Sequence, residues 1–450
     1  MSDNRDLHAT LGPSFSVDKT EDERAGAGVV SDELPSSFVK RAASPIVRFK
    51  RAALMVAVFF CGWVLLRVGQ IPLTLSDMLL CLVIPILLSR GEINHRPFGN
   101  LTVFWMLGLG LLLLGLLIGS VVNGGVIRWL SVGGQYIFAF LLIPMIFTGQ
   151  PRSMTRLLPA LLVLGMAVSE LIGISVSFLY DYSDTKDILG TGFLTGNGRL
   201  GSMSGQPNRN GAMIAFSLPM LLYSLRNGTI PLGIGLICGL LLVWGLLASG
   251  SFTGFSASMI AVAIYLAISG IKMLVRVAIV GVIGAGLFLA SGLPLPAAFE
   301  NRVAGALTTG DLEEAGTFVG RTELIDEAWA KADDNLLVGL GVDQYRVVSP
   351  LGAPVHEFHL LIVNEGGLVA FSGVVIILLT MVAAGFTAVS RSRVEGALIL
   401  AVVVVFNVYT FAVPHMYGRA WILPVILAMA TFFAREPTGQ RSGDQAMRTS

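Results

Sequence analysis

Two histidines three residues apart, His356 and His359, open an apolar run in PVHEFHLLIVNEGG (354–367), and the whole chain has only five histidines. Near neutral pH an imidazole is the natural general base. On a helix, residues at this spacing share roughly one side. The pair would also suit a metal, but no third ligand at suitable spacing accompanies it. Glu365 follows inside the apolar run, where a carboxylate needs a polar cavity or a partner. A second group lies in GNGRLGSMSGQPNRNG (196–211), with Arg199 in a Gly-rich stretch that reads as flexible and Pro207-Asn208 leading into a helix. A guanidinium there can grip a phosphate with two N–H groups, and the helix N-terminus adds positive potential. Equally, Asn208 or Asn210 can simply cap the helix. A third cation, Arg321, follows Gly320 at the start of a loop helix and can pair with Glu323, Asp326 or a lipid headgroup. Asp77, beside Thr74 and Ser76, suits a helix cap. Glu170 suits a buried hydrogen-bonded pair, with a proton or ion path as the other reading. The pair His415/Arg419 completes the set of boundary charges.

The elements that must position these residues are membrane helices. Of 450 residues, 54% are hydrophobic and 13% charged, against about 45–50% and about 25% in soluble domains. Residues 1–51 carry 16 of the 59 charged side chains, 292–358 carry 15 and 435–450 carry 5, which leaves 23 for the other 316. So little charge cannot cover a water-soluble surface of that size. The expected fold class is all-α, a polytopic membrane helix bundle. At about 20 apolar residues per span, helices are expected near 52–68, 71–89, 101–121, 127–148, 157–179, 211–225, 230–248, 253–270, 275–291, 358–389, 394–413 and 418–434. Twelve spans put both termini on one side. The inner loops would hold nine basic residues (Arg90, Arg96, Arg152, Arg156, Arg226, Lys272, Arg276, Arg391 and Arg393). The outer loops would hold Arg67, Arg128 and Arg419, plus Lys186, Arg199 and Arg209 in 180–210. That bias favours cytoplasmic ends. Residues 1–45 and 435–450 read as cytoplasmic tails, the first disordered by composition. The first apolar run begins at Ala52, so no cleavable signal is expected and that run is itself the first membrane signal.

Two outer segments stand out, 180–210 and 292–357. The second is long enough for its own helices, and long loops in compact proteins are usually functional. Within it, 311–334 has helical spacing, with Leu324, Ile325, Ala328 and Trp329 on one apolar side, as in an amphipathic helix against the membrane face. Much chemistry is excluded. There is no Gly-Lys-Ser/Thr phosphate loop, no HExxH and no cluster with metal-ligand spacing. Net charge is +1, and no basic segment alternates with aromatics, so nucleic acid is not expected as a partner. Cys61, Cys81 and Cys238 fall in apolar runs and read as packing residues.

The order Arg199, Gly201, Pro207, Asn208, then Gly320-Arg321, then Gly339 and Gly341, then His356, Leu360, Glu365 and Gly367 resembles the O-antigen ligase and polymerase superfamily of bacterial membrane glycosyltransferases. The similarity is sharpest over 199–367. His356 is followed by Glu357 where the family commonly has Asn, and Ile325 replaces a usual tryptophan. The resemblance implies transfer of a glycan from an undecaprenyl diphosphate carrier to an acceptor sugar hydroxyl on the periplasmic face of the bacterial inner membrane. Neither ATP, metal nor cofactor would be needed. Arg199 and Arg321 would hold the diphosphate and stabilise its developing charge, and His356 would take the acceptor proton during attack with inversion. Asn208, Arg209, Glu357, His359 and Glu365 would border the substrates, with Glu357 or Glu365 orienting His356. The acceptor would be a further carrier-linked glycan in a polymerase or a lipid A core sugar in a ligase. Membrane lipids would admit the carrier sideways. Arg199, Arg321 and His356 are therefore expected to converge. A polytopic transporter or flippase for a lipid-linked glycan is the alternative. Against it stand the lack of two matching halves and the gathering of polar residues on outer loops instead of the midplane.

Overall fold

Apolar runs of 15–32 residues fold as helices because hydrocarbon offers no hydrogen bonds, so each backbone must satisfy its own groups. The structure, a computed structural model, describes residues 44–67, 73–309 and 319–434; the side chains of 309 and 319–321 lie outside that description. All but the last two residues of the expected tail 1–45, and the whole of 435–450, are also outside the described residues.

The helices used below are α1 (Pro45–Phe59), α2 (Leu75–Ser89), α3 (Gly99–Val122), α4 (Val126–Thr148), α5 (Arg152–Leu179), α6 (Pro207–Arg226), α7 (Leu232–Ser249), α8 (Phe252–Ser269), α9 (Ile271–Ser291), α10 (Val319–Asn335), α11 (Phe358–Val389), α12 (Arg393–Thr410) and α13 (Arg419–Phe433). The described residues form no strand. Eight helices, α3–α5, α7–α9, α11 and α12, are long and apolar enough to cross a membrane, while α2 and α13 are apolar but shorter. The chain is thus an all-helical, multi-pass membrane protein, with a helix at or overlapping each expected position.

Close packing rests on glycine. A Cβ on Gly108 would come 2.8 Å from the Gly373 carbonyl, and Gly115 lies against Gly366 and Ala370, so α3 and α11 meet backbone to backbone. At the end of this seam α11 is broken at Gly367 (φ 64°, ψ −170°). The segment after α10 fills the break: Leu368 N–H donates to the Leu336 carbonyl (2.8 Å), Leu340 N–H to that of Asn364 (2.8 Å) and Gly341 N–H to that of Glu365 (2.9 Å). Gly339 and Gly341 therefore serve backbone contact. A Cβ on Gly339 would overlap the Glu365 backbone. Gly339→Ala is expected to destabilise the protein by roughly 1–3 kcal/mol through overpacking, read as a lower thermal midpoint in detergent; an unchanged midpoint would refute this packing account.

Two helix details differ from the sequence reading. Helix α10 begins at Val319, and residues 311–318 of the expected helix lie outside the described residues. Its buried stripe is Leu324, Ala328 and Ala332, packed on Tyr345, Val355, Leu360 and Leu361, whereas Trp329 is 62% exposed. This helix therefore packs on the protein itself, because a helical face repeats at i, i+4, i+8. The cap of α6 also differs: Gln206 is the N-cap residue and makes no side-chain cap bond, while Asn208 and Asn210 lie inside the helix and bond Arg199 and Glu170. Asp77 does cap, forming a capping box with Thr74, and it also pairs with Arg419 at the start of α13. Arg419 donates further to Thr74 and to the Cys61 carbonyl, tying α13 to α1 and α2.

Candidate functional site

The stretch 190–206 is compact instead of flexible. Its glycines permit close backbone crossings: Gly192 and Gly201 each leave no room for a Cβ, and Gly205 sits at φ 68°. Gly201 N–H donates to the Phe193 carbonyl (2.7 Å) and Leu200 N–H to that of Ala248 (3.0 Å), while Phe193, Leu200 and Met203 pack with Trp63. This fixes Arg199, which is only 8% exposed. Its Nε donates to the Ser249 carbonyl (2.9 Å) and an amino group to Asn208 Oδ1 (2.6 Å), both neutral acceptors. Arg199 and Asn208, with Thr195, Asn197, Gln206 and Pro207, line an open cavity of about 500 Å³. Behind the loop, the buried carboxylate of Glu170 accepts from Ser202 (3.0 Å) and Asn210 (3.2 Å), the hydrogen-bonded role its sequence position suggested. Arg209 is half-buried and donates to the Ser204 carbonyl (3.3 Å).

The histidine motif reaches the same end of the bundle. His359 Nε2 is 2.9 Å from Thr410 Oγ1, and its ring packs on Phe411 at 4.8 Å. The residue before Thr410, Tyr409, donates its hydroxyl to the Asn208 carbonyl (3.2 Å). Consecutive residues at the end of α12 thus hold the Asn208 backbone on one hand and the start of α11 on the other. His356 and Glu357 lie just before α11, both half-buried, and burial pushes the Glu357 carboxyl above the usual range. His359 is a packed, hydrogen-bonded residue that fixes the start of α11. The backbone of Arg321 lies in the first turn of α10, and its side chain is outside the described residues. Helix α10 is nevertheless anchored to the motif helix, since Asn364 Nδ2 donates to the Ala328 and Leu360 carbonyls, each at 3.0 Å.

Further along α11, Glu365 is buried and faces the backbone N–H groups of Asp343 and Tyr345. With Asp343, His415 and Tyr417 it borders a small cavity between α3, α4 and α11. Burial pushes the His415 imidazole below the usual histidine range, and His356, Asp343, Arg128 and Arg346 all act on it electrostatically. Sequence reasoning missed several of these residues. Tyr409 and Thr410 look like the end of an apolar run. Arg128 carried one legible signal: it occupies the first turn of α4, where the helix dipole opposes a cation.

Comparison with protein-family models and with curated proteins returned no match to this chain.

Proposed function

We propose that this protein is a membrane glycosyltransferase that moves a glycan from an undecaprenyl diphosphate carrier to an acceptor sugar hydroxyl, in ligation or polymerisation of a cell-surface polysaccharide. The observation that carries the reading is the junction at the end of α12, where Tyr409 holds the Asn208 backbone and Thr410 holds His359. Through it, a fixed arginine on an open cavity and a histidine at a loop-to-helix boundary come to one end of the bundle. In this proposal the helices at all twelve positions span the bacterial inner membrane, and the site end faces the periplasm. The basic residues Lys50, Arg90, Arg152, Arg156 and Arg226, whose partners Glu92, Glu395 and Ser269 sit at the opposite helix ends, support that orientation.

A diphosphate ester is a ready leaving group once its charge is neutralised. Arg199, oriented by Ser249 and Asn208, would bond the phosphate oxygens through its planar fork, and Arg321 would add a second cation from α10. The acceptor hydroxyl is too weak an acid to ionise beforehand, so His356 takes its proton as the new bond to the anomeric carbon forms. The carbon–oxygen bond to the carrier breaks on the opposite face, and its electron pair leaves with the undecaprenyl diphosphate, giving inversion. Glu365 and Glu357 set the position of the start of α11, with Asn208 and Arg209 at the phosphate side.

The test supplies purified protein with a carrier-linked glycan and candidate acceptors, without ATP and with EDTA. Inverted-linkage product with release of undecaprenyl diphosphate is expected. A well-folded protein that returns the natural carrier-linked glycan unchanged would overturn the proposal. The length distribution of the product separates polymer growth from single ligation.

A further inference from the structure

The cavity that Arg199 borders has room for more than a phosphate. Its volume of about 500 Å³ falls in the range of small-molecule pockets, about 300–1,000 Å³. Its lining is also unusual for a site that meets a lipid. Around the guanidinium stand the carboxamides of Asn197, Gln206 and Asn208 and the hydroxyl of Thr195. Among the described lining residues there is no carboxylate, no aromatic ring and no second cation.

Two of the carboxamides stand on fixed backbone. Asn197 occupies the tip of a closed turn: Thr195 N–H donates to the Arg199 carbonyl (3.0 Å), Gly198 N–H to the Thr195 carbonyl (2.8 Å) and Arg199 N–H to Thr195 Oγ1 (3.1 Å). Leu194 pairs with Leu200 just outside it, and Gly198 at φ 75° lets the chain reverse. The Thr195 hydroxyl donates to Asn197 Oδ1 (2.5 Å), which orients the amide and leaves Nδ2 without a partner among the described residues. Gln206 is fixed by its neighbours. Pro207 follows it as the first residue of α6, and a Cβ on Gly201 would come 2.8 Å from the Gln206 nitrogen. The Gln206 carboxamide is exposed and makes no hydrogen bond among the described residues. Asn208, by contrast, is already engaged with Arg199.

These groups select what enters. A carboxamide donates through two N–H groups and accepts through its oxygen, which complements adjacent sugar hydroxyls and offers nothing to a hydrocarbon chain. A site built to hydrogen-bond a hydroxyl also discriminates sharply against a ligand that lacks it, because its own polar groups are left unpaired. The sugar therefore suits this cavity, and the polyprenyl chain does not. We propose that Asn197 and Gln206 are specificity-determining residues that read the hydroxyl or acylamino groups of the first sugar on the carrier diphosphate, while Arg199 holds the phosphate beside it. With one cation and no carboxylate in the lining, the cavity disfavours a first sugar that bears a free amine. This inference rests on the proposed glycosyl transfer and assigns the sugar side of its donor site.

The probes are undecaprenyl diphosphates, bare or bearing one sugar with a hydroxyl, an acetamido or a free amino group at C2, in the gluco and galacto series. Their affinities for the full-length protein in detergent are measured by titration, with inorganic pyrophosphate as the control. Wild type is expected to bind at least one hydroxyl or acetamido carrier about tenfold tighter than the bare carrier, and the amino carriers no better than the bare one. Asn197→Ala and Gln206→Ala should each remove roughly three- to tenfold of that gain, the range for a neutral hydrogen bond. The double variant should lose nearly all of it while keeping its affinity for bare carrier and pyrophosphate. Both positions are exposed, so the fold should survive, and thermal unfolding checks it. A sugar gain that persists in the double variant, no gain from any sugar in wild type, or tightest binding of an amino carrier overturns the inference. So does an equal loss of bare and sugar-bearing carrier in the variants. Those outcomes leave the donor site standing if Arg199→Ala still weakens bare carrier and pyrophosphate. Binding of both that is indifferent to Arg199→Ala tells against the donor site of the proposed function and takes this inference with it.

Discussion

Replacing His356 by alanine is expected to slow glycosyl transfer by roughly 10²–10⁴-fold, the usual contribution of a positioned general base. A sugar hydroxyl cannot lose its proton before attack, so without an acceptor for that proton the barrier rises in the bond-forming step. Donor binding should be nearly unaffected, because the phosphate contacts proposed here come from arginines. The fold should also persist, because His356 is half-buried outside the helices and the start of α11 is held by His359 on Thr410 and by Asn364 on the α10 backbone. Stopped or quenched kinetics at saturating donor should show a fall in kcat with little change in donor KM. A variant with the wild-type kcat would remove His356 from the chemistry.

Arg199→Ala is the second large effect, with an expected loss of roughly 10²–10³-fold in kcat/KM, typical of removing one preorganised donor to developing charge. The substitution also leaves Asn208 Oδ1 and the Ser249 carbonyl without this donor, so the cavity rim would rearrange as well as lose its cation. Arg199→Lys should rescue little. A single ammonium cannot hold both acceptors in one plane while facing a diphosphate. The measurements are the donor KM and the pyrophosphate affinity of each variant; full rescue by lysine would mean that charge alone matters.

What was legible in the sequence follows from which physical constraint acts locally. Long apolar runs and sparse charge made α1–α9 and α11–α13 readable as helices, because length and polarity in a membrane are fixed by the bilayer itself, while α10 was readable from its spacing. Arg199, Asn208 and His356 were visible as polar groups at loop-to-helix boundaries. The contacts between their neighbourhoods were not derivable from spacing: Tyr409 meets the Asn208 backbone and Thr410 meets His359, three residues after His356, and both belong to another helix and look apolar in context. The glycines around Arg199 in 196–211 were read as flexibility, although the same lack of Cβ permits tight crossing. Composition alone does not separate the two uses. Trp329 was grouped with Leu324, Ile325 and Ala328 on one apolar side against the membrane face, yet the stripe that packs on the protein runs through Leu324 and the small residues Ala328 and Ala332, which let α10 approach α11. Asp343 was missed although Asp is among the side chains that adopt positive φ more readily; the contacts of the preceding residues with Ser120 and Gly119, far away in the chain, leave no local signal.

The central claim is that the polar end of this bundle breaks a glycosyl–phosphate bond instead of passing an intact lipid-linked glycan across the membrane. The direct measurement reconstitutes wild type and His356→Ala in liposomes whose carrier-linked glycan is confined to the leaflet that the site end faces, with acceptor present, and follows both product and carrier position. The account predicts acceptor-linked product and free undecaprenyl diphosphate from wild type, and neither from His356→Ala despite normal donor binding. Movement of intact carrier-linked glycan to the other leaflet without product, equal in both proteins, would contradict it.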